Sequence, residues 1–212
     1  RGEEMDEKLI KEIARRVKET LKNPNIIPIE ASGRHIHLSK EHVEVLFGKG
    51  YELKRKKELS QPGQYQCEER VTLVGPKGVI ENVAVLGPER VRTQVEISKT
   101  DARQLGIDPP VRDSGDLDGS ETIYIATRKA VIEAKESVIV AKRHIHMNSE
   151  DALKLKVKDK DIVNVRVKSD RPVIFEDVVI RVSDKYKLSM HIDFDEANAS
   201  SFENGMVGEI IS

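Results

Sequence analysis

Apolar and polar positions along the chain follow two different periods, which predict one helix and then a series of short strands. In residues 1–23, apolar side chains recur at helical spacing with charged residues between them, and an Asn-Pro-Asn sequence ends the pattern. After residue 25, short runs rich in Val and Ile are separated by turns that contain Gly or Pro, about every ten residues. This texture predicts a mainly β protein built of small sheets or barrels.

Two short helices interrupt the strands. They are expected at Lys40–Phe47, which follows Ser39, and at Glu150–Leu155, which follows Asn148-Ser149, and in each case a Ser or Asn can serve as the N-cap. By contrast, residues 108–120 carry Pro, Gly, Asp and Ser in close succession and are the most loop-like stretch of the chain.

The amphipathic helix predicted at residues 1–23 needs a surface that covers its apolar stripe. That stripe consists of Leu9, Ile13, Val17 and Leu21, and a helix of this length is marginal alone in water. The stripe can pack on the rest of this chain, on a second copy in a homo-oligomer, or on a larger assembly for which the helix is a docking peptide. The sequence leaves these alternatives open.

A histidine motif occurs twice. Arg34-His35-Ile36-His37 returns 109 residues later as Arg143-His144-Ile145-His146, with a strand-like segment before each copy and a helical segment after it. Glu41 and Leu46 match Glu150 and Leu155 at the same spacing. Such self-similarity predicts an old duplication that produced two half-domains of about 100 residues each.

The duplicated histidines are candidate metal ligands. In a strand, residues i and i+2 point to one face, so two imidazoles can converge on one ion while the isoleucine between them enters the core. His191, in the strand-like run Leu188–Ile192, is a candidate for a further ligand. His42 lies on a predicted helix and has Asp151 as its repeat equivalent, so we interpret it as structural.

Composition excludes several classes of protein. Lys plus Arg number 36 and Asp plus Glu 37, giving a net charge of −1, which provides no basic surface for nucleic acid or membranes. No apolar run is long enough to span a bilayer. Cys67 is the single cysteine, so no internal disulfide can form and a reducing, cytoplasmic location is expected. No neighbouring histidine or helix N-terminus activates its thiol, so we do not predict a nucleophile there.

The segment Gly87–Ser98 supplies a candidate anion site. Apolar residues alternate with Arg92, Gln94 and Glu96, which predicts a half-buried strand over Val91–Ile97 with one polar face. If that face lines the metal site, Glu96 becomes an oxygen ligand and Arg90 a forked phosphate donor; otherwise both are solvated charges. Six residues of straight strand span about 20 Å, so Gly87-Pro88 must turn the chain for Arg90 to reach the same site.

At these residues the chain resembles the phosphate propanoyltransferases, the PduL-type phosphotransacylases. The resemblance covers about residues 26–200 and implies a mainly β fold of two similar interlocked β-barrels capped by short α-helices. In that fold one barrel comprises residues 24–33 and 142–212, the other comprises residues 34–141, and the helix at residues 1–23 precedes both. The matching motifs are Ser32–Ser39, Leu86–Ser98, Arg143–Met147, His191–Asp193 and Asp195–Ala199.

The resemblance also implies an activity and a site. The family transfers an acyl group, here from propanoyl-CoA or acetyl-CoA, between coenzyme A and inorganic phosphate, with an acyl phosphate as the other partner. It binds two zinc ions per chain between the barrels, and Arg90 matches its phosphate-binding, catalytic arginine. Carried over by motif, the two zinc sites are His35, His37 and Glu96, and His144, His146 and His191.

Three functions remain open from the residues themselves. The first is direct acyl transfer without a covalent acyl-enzyme; the second is a dinuclear zinc hydrolase of phospho- or thioesters, which uses water as the nucleophile. The third is a non-enzymatic metal-binding or docking module. Family members in bacterial microcompartments often carry an N-terminal encapsulation peptide, so the resemblance makes shell proteins candidate partners of the helix at residues 1–23.

Overall fold

The computed structural model describes residues 25–211, and the helix predicted at residues 1–23 lies outside these described residues. Fourteen strands occupy residues 25–211: β1 (Ile26–Ala31), β2 (His35–His37), β3 (Arg55–Glu58), β4 (Tyr65–Val74), β5 (Val79–Gly87), β6 (Gln94–Glu96), β7 (Val111–Arg112), β8 (Glu121–Ala126), β9 (Val131–Ala141), β10 (His144–Met147), β11 (Ile162–Val167), β12 (Val173–Val182), β13 (Ser189–Ile192) and β14 (Val207–Ile211). The helices of this region are α1 (Lys40–Phe47), α2 (Lys99–Leu105), α3 (Ser149–Leu155) and α4 (Phe194–Ala199).

The first strand belongs to the C-terminal barrel. This barrel closes in the order β1-β13-β10-β12-β11-β14, with β14 returning to β1. Strand β1 runs parallel to β13, with Glu30 opposite His191, and antiparallel to β14. From residue 26 onward, the chain therefore contributes one strand to the C-terminal barrel, builds the central barrel, and then returns to complete the first.

The central barrel is assembled from the intervening residues. Its strands pair in the ring β4-β5-β2-β6-β9-β8, and β8 closes the ring by pairing with β4. Strands β3 and β7 add to the outside of the ring through β4 and β9. Two six-stranded barrels with four short helices confirm the predicted mainly β, two-barrel fold class.

The two barrel cores are aliphatic, and each contains the isoleucine of one histidine motif. Ile36 and Ile145 are both completely buried, one in each core cluster. Because strand side chains alternate between faces, burying the isoleucine places the two histidines beside it on the opposite face. Burial of a side chain of this size contributes about 1.5–3 kcal/mol, which fixes the register of β2 and β10.

The N-cap expected at Ser39 is confirmed, and of the pair Asn148-Ser149 the structure has Asn148 as the N-cap and Ser149 as the first helical residue. The side chains of Ser39 and Asn148 accept hydrogen bonds from the backbone N–H groups of His42 and Asp151. Helices α2 and α4 were not predicted, because each is short and poor in large apolar residues. Each begins with a capping box in which a Ser or Asp and a following carboxylate satisfy one another's backbone N–H groups.

The strand predicted over Val91–Ile97 was wrong in its extent. Only Gln94–Glu96 pairs as a strand, and the Val91 side chain is 99% exposed. The chain turns after the cis Gly87-Pro88 peptide bond, and the Arg90 backbone N–H donates to the Leu38 carbonyl at 2.9 Å. The alternating pattern therefore reflected a turn followed by a very short strand.

Between residues 25 and 211, no helix has both the length and the apolar character needed to cross a membrane.

Candidate functional site

All seven of the candidate site residues named from the sequence line one cavity of about 940 Å³, to which both barrels contribute. They are His35, His37, Arg90, Glu96, His144, His146 and His191. The negative charge of Glu96, in the central barrel, acts to raise the pKa of both His144 and His191 in the C-terminal barrel. The residues from the two barrels therefore face each other across the cavity.

The central barrel contributes the first cluster. Strands β2 and β6 run antiparallel with His35 directly opposite Glu96, and the His35 Nε2 to Glu96 Oε2 distance is 3.5 Å. The His35 and His37 rings lie nearly perpendicular, with centroids 5.4 Å apart. The cluster therefore combines two imidazoles and one carboxylate on adjacent strands.

The C-terminal barrel contributes the second cluster in the same way. Strands β10 and β13 run antiparallel with His144 directly opposite His191. The centroid of the His146 ring lies 4.6 Å from that of His144 and 5.0 Å from that of His191, and the remaining pair is separated by 5.3 Å. This cluster is made entirely of imidazoles.

The two clusters are repeat equivalents down to individual hydrogen bonds. His35 Nδ1 lies 2.9 Å from the Gly33 carbonyl, and His144 Nδ1 lies 2.8 Å from the equivalent Lys142 carbonyl. A ring N–H donated to a carbonyl fixes the tautomer and leaves the Nε2 lone pair directed elsewhere. In both copies the orientation of the first histidine is thus set by the backbone two residues before it.

The second histidine of each pair shares a different feature. The Nδ1 atoms of His37 and His146 are buried and have no hydrogen-bond partner among the described residues. An unsatisfied buried polar atom costs about 1–3 kcal/mol, and here it recurs at equivalent positions of the duplication. The repetition shows that the duplicated strands bury the second histidine in the same way, and the backbone of Leu86 is close enough to His37 to raise its pKa against the larger effect of burial.

Protonation states favour neutral imidazoles and an ionised carboxylate. Burial lowers the pKa of His37 to about 3, assisted by the positive charge of Arg90. Burial also lowers the pKa of His146 to about 2 and that of His191 to about 3, with His144 contributing to both. Burial opposes ionisation of Glu96, but the neighbouring histidines, a hydrogen bond from Ser114 and the charge of Arg90 outweigh it and lower its pKa to about 2.

The donor atoms of both clusters fit a transition metal such as zinc. Imidazoles bound to one tetrahedral zinc ion at about 2.0–2.1 Å have ring centres roughly 5 Å apart, which matches the 4.6–5.3 Å separations of the second cluster. Within residues 25–211, no group of three or more His, Cys, Asp or Glu side chains is placed so that it could hold a metal ion as it stands. The clusters therefore have the donor types, charge states and ring spacing for a metal, without a completed geometry.

Arg90 reaches the first cluster because of the turn after Gly87-Pro88. Its Nη2 donates to His37 Nε2 at 2.9 Å, and its Nη1 donates to Ser114 Oγ at 3.3 Å. Neither hydrogen-bond partner is an anion, and the negative charge that acts on the guanidinium is the nearby Glu96 carboxylate, which opposes the lowering of the Arg90 pKa by burial. Such a forked, planar donor suits phosphate recognition.

Several cavity residues were missed from the sequence. Ser114, from the loop predicted at residues 108–120, donates to Glu96 Oε1 at 2.9 Å, and Gln94 Nε2 donates to the same oxygen at 2.5 Å. Tyr186 packs on His146 with ring centroids 4.2 Å apart, and Arg181 also lines the cavity. No local motif distinguishes these residues, because distant loops and strands bring them to the site.

The two residues set aside from the sequence lie apart from the cavity. His42 Nδ1 is 2.7 Å from Thr93 Oγ1 and is not among the cavity residues. Cys67 is completely buried in the core of the central barrel, and burial raises the pKa of its thiol to about 11.

Comparisons with known proteins identify the family to which the chain belongs. The family model described as phosphate propanoyltransferase matches residues 28–203. A phosphate propanoyltransferase of Clostridioides difficile is 54% identical over 205 residues, covering 97% of this chain and 98% of that protein. Proteins of the same name from Alkaliphilus metalliredigens and Thermotoga maritima are 52% and 57% identical, covering 99% and 87% of this chain and 99% and 88% of their own lengths.

Proposed function

This chain belongs to the phosphate propanoyltransferase family and is an acyltransferase, and from that premise we propose how its cavity works. The proposed reaction interconverts propanoyl-CoA or acetyl-CoA plus inorganic phosphate with the acyl phosphate plus free CoA. One zinc ion is held by His35, His37 and Glu96, and a second by His144, His146 and His191. The observation that carries the proposal is the pair of equivalent ligand clusters that face one cavity, with Arg90 beside the first.

The chemical need for such a site follows from the reactants. Phosphate is a poor nucleophile toward a thioester, and its negative charge is repelled by the phosphates of coenzyme A. When bound, two zinc ions would supply positive charge and Lewis acidity to offset that repulsion and polarise the thioester carbonyl. The histidines of the two clusters supply nitrogen lone pairs for this purpose, and the ionised Glu96 adds one negative charge to one of the two sites.

The roles of the chain's own side chains follow from their positions. Arg90 holds two phosphate oxygens with its forked N–H groups and orients a third toward the thioester carbonyl carbon. Ser114 holds both the guanidinium of Arg90 and the carboxylate of Glu96, so it keeps these two groups at a fixed separation. As the phosphate oxygen forms its bond to the carbonyl carbon, the carbon–sulfur bond breaks and CoA leaves as the thiolate, which takes up the proton that hydrogen phosphate releases.

We further propose that the transfer is direct. The chain's single cysteine lies in the core of the central barrel rather than at the cavity, and its raised pKa keeps it as the thiol. A covalent thioester on the protein therefore has no cysteine from which to form. A single transfer step requires phosphate and the thioester to occupy the cavity at the same time.

One experiment separates the acyltransferase from a hydrolase and from a non-enzymatic module. Zinc-loaded protein is incubated with propanoyl-CoA or acetyl-CoA, and free CoA thiol is measured with and without inorganic phosphate. Thiol release that requires phosphate, with acyl phosphate formed in equal amount, is the expected result. Equal release without phosphate would identify a hydrolase, and no release under either condition would identify a binding module.

A further inference from the structure

A second arginine faces the cavity beside the histidines of the C-terminal barrel. In the parallel pairing of β10 with β12, Arg181 lies directly opposite His146. Side chains that are opposite in register emerge on the same face of a sheet, so Arg181 projects on the face that carries the histidines. It is half-buried and lines the same cavity as Arg90.

Arg181 differs from the other arginines of the cavity in its surroundings. Arg34 forms an ion pair with Asp101 at 3.0 Å, and Arg70 donates to two backbone carbonyls at 2.8 Å. The Arg181 guanidinium forms no hydrogen bond or ion pair with any residue between 25 and 211. A half-buried cation without a counter-ion is unfavourable unless a ligand provides the negative charge.

The positive charge of Arg181 affects the pKa of cavity residues from both barrels, namely Arg90 and His146. Burial lowers the pKa of Arg90, Glu96 opposes this, and the positive charge of Arg181 lowers it further. Arg181 also contributes to the lowered pKa of His146, after burial and the two neighbouring histidines. The two guanidiniums are thus close enough to repel each other, which an anion between them would relieve.

The duplication indicates that the fold does not require a cation at this position. His35 and Ile36 lie opposite Ala84 and Val85 in the central barrel, so the residue in register with His37 is Leu86. Leu86 is therefore the repeat equivalent of Arg181, and a connection of the same length leads from each to the strand that carries the last proposed ligand. A leucine serves the structural role in one copy, and an arginine occupies the other.

We propose that Arg181 is a second anion-binding residue of the site, which acts with Arg90 to hold the phosphate that is transferred. The ligand class is inorganic phosphate in one direction and the phosphoryl group of the acyl phosphate in the other. Arg90 belongs to the central barrel and Arg181 to the C-terminal barrel, so the phosphate is bound by one arginine from each barrel. The inference rests on the proposed function and names a residue that recognises its substrate.

The test compares Arg181→Leu with a matched control. Leucine is the residue that the other repeat carries at this place, so the substitution suits the barrel, and Arg181→Lys provides a second variant that keeps the charge. The control is Arg166→Leu, which changes an exposed arginine of β11 in the same barrel. Thermal melts establish that each variant is folded.

Steady-state kinetics then separate the two sources of phosphate. Loss of a charge-assisted contact should raise KM for inorganic phosphate roughly 10- to 100-fold in Arg181→Leu, with KM for acyl-CoA changed less than about threefold and Arg181→Lys intermediate. Arg166→Leu should match the wild type. An unchanged KM for phosphate, or a rise confined to acyl-CoA, would overturn the proposal, because Arg181 would then be a solvated charge or a contact to the phosphates of coenzyme A.

A binding measurement keeps this inference distinct from the proposed function. Inorganic phosphate is titrated calorimetrically into each zinc-loaded variant without coenzyme A, and Arg181→Leu should bind it roughly tenfold or more weakly than Arg166→Leu. If the wild type shows no phosphate-dependent thiol release, the proposed function fails, whereas equal phosphate affinity in these two variants rejects the role of Arg181 alone.

Discussion

Removing the Asp101 carboxylate should destabilise the protein far more than removing an exposed carboxylate that is paired with the same helix. Asp101 is the N3 residue of α2, and its side chain is only 6% exposed. One oxygen accepts the Ser98 backbone N–H at 3.2 Å, and the other pairs with Arg34 at 3.0 Å. This arrangement connects the start of α2 to the residue that directly precedes His35.

The magnitude follows from what Asp101→Ala leaves behind. The buried N–H of Ser98 loses its acceptor, which costs about 1–3 kcal/mol, and the ion pair with the partly exposed Arg34 adds about 0.5–1 kcal/mol after screening by solvent. For a domain of this size, about 1 kcal/mol corresponds to roughly 2–4 °C in Tm. The expected loss is therefore about 1.5–4 kcal/mol, or a fall in Tm of roughly 3–16 °C.

The C-terminal barrel and an exposed ion pair provide the comparison. Glu196 accepts the Asp193 backbone N–H at 3.0 Å and pairs with Arg143 at 3.1 Å, but its side chain is 19% exposed, so Glu196→Ala should lower Tm less than Asp101→Ala. Asp108 pairs with Lys99 of α2 at 3.0 Å but is 93% exposed, so Asp108→Ala should change Tm by less than about 2 °C. Calorimetric melts of the three variants would refute the reasoning if Asp101→Ala melted within 2 °C or so of Asp108→Ala.

Four further predictions concern the proposed site and its surroundings. Arg90→Ala should reduce kcat/KM about 30- to 1,000-fold, equivalent to about 2–4 kcal/mol, and Arg90→Lys should restore part of it; an unchanged dependence of rate on phosphate would identify Arg90 as a solvated charge. His144→Ala should lower zinc content from about two ions to about one per chain, measured by elemental analysis against a His42→Ala control, and wild-type protein purified without any transition metal would contradict both sites. Cys67 in the native protein should not react with a thiol reagent at pH 8, because its pKa is raised to about 11, whereas the denatured protein should react once; fast native labelling would show that the thiol is accessible. Deleting residues 1–23 should leave zinc content and turnover within a few-fold, because all proposed ligands lie within residues 25–211, and size-exclusion profiles should reveal any role in self-association or shell binding; loss of zinc from a folded truncation would contradict the assignment.

Local patterns were sufficient to predict the parts of the fold that depend on neighbouring residues. The His-x-His spacing predicts strands with one histidine face, and both copies form strands with a fully buried isoleucine between the histidines. Ser39 and Asn148 marked real helix starts because N-capping is a contact between a side chain and a backbone N–H only three residues away.

The remaining features depend on contacts between residues that are far apart in the chain. Ser114 reaches Glu96 from a loop whose sequence indicates only flexibility, and Arg181 reaches the cavity because β12 pairs with β10. The Val91–Ile97 alternation predicted a strand, but the turn that carries Arg90 to His37 takes precedence over that local preference. Such pairings between distant residues cannot be predicted from the spacing of apolar and polar residues along one sequence.

The duplication accounts for why two clusters face one cavity, and the differences between its copies account for their chemistry. Equivalent strands place His35 opposite Glu96 and His144 opposite His191, so each barrel presents the same three-residue frame. The frame carries an ionised carboxylate in one copy and only neutral imidazoles in the other. Because the carboxylate gives the first cluster a negative charge that the second cluster lacks, the two equivalent frames present different charges to whatever enters the cavity.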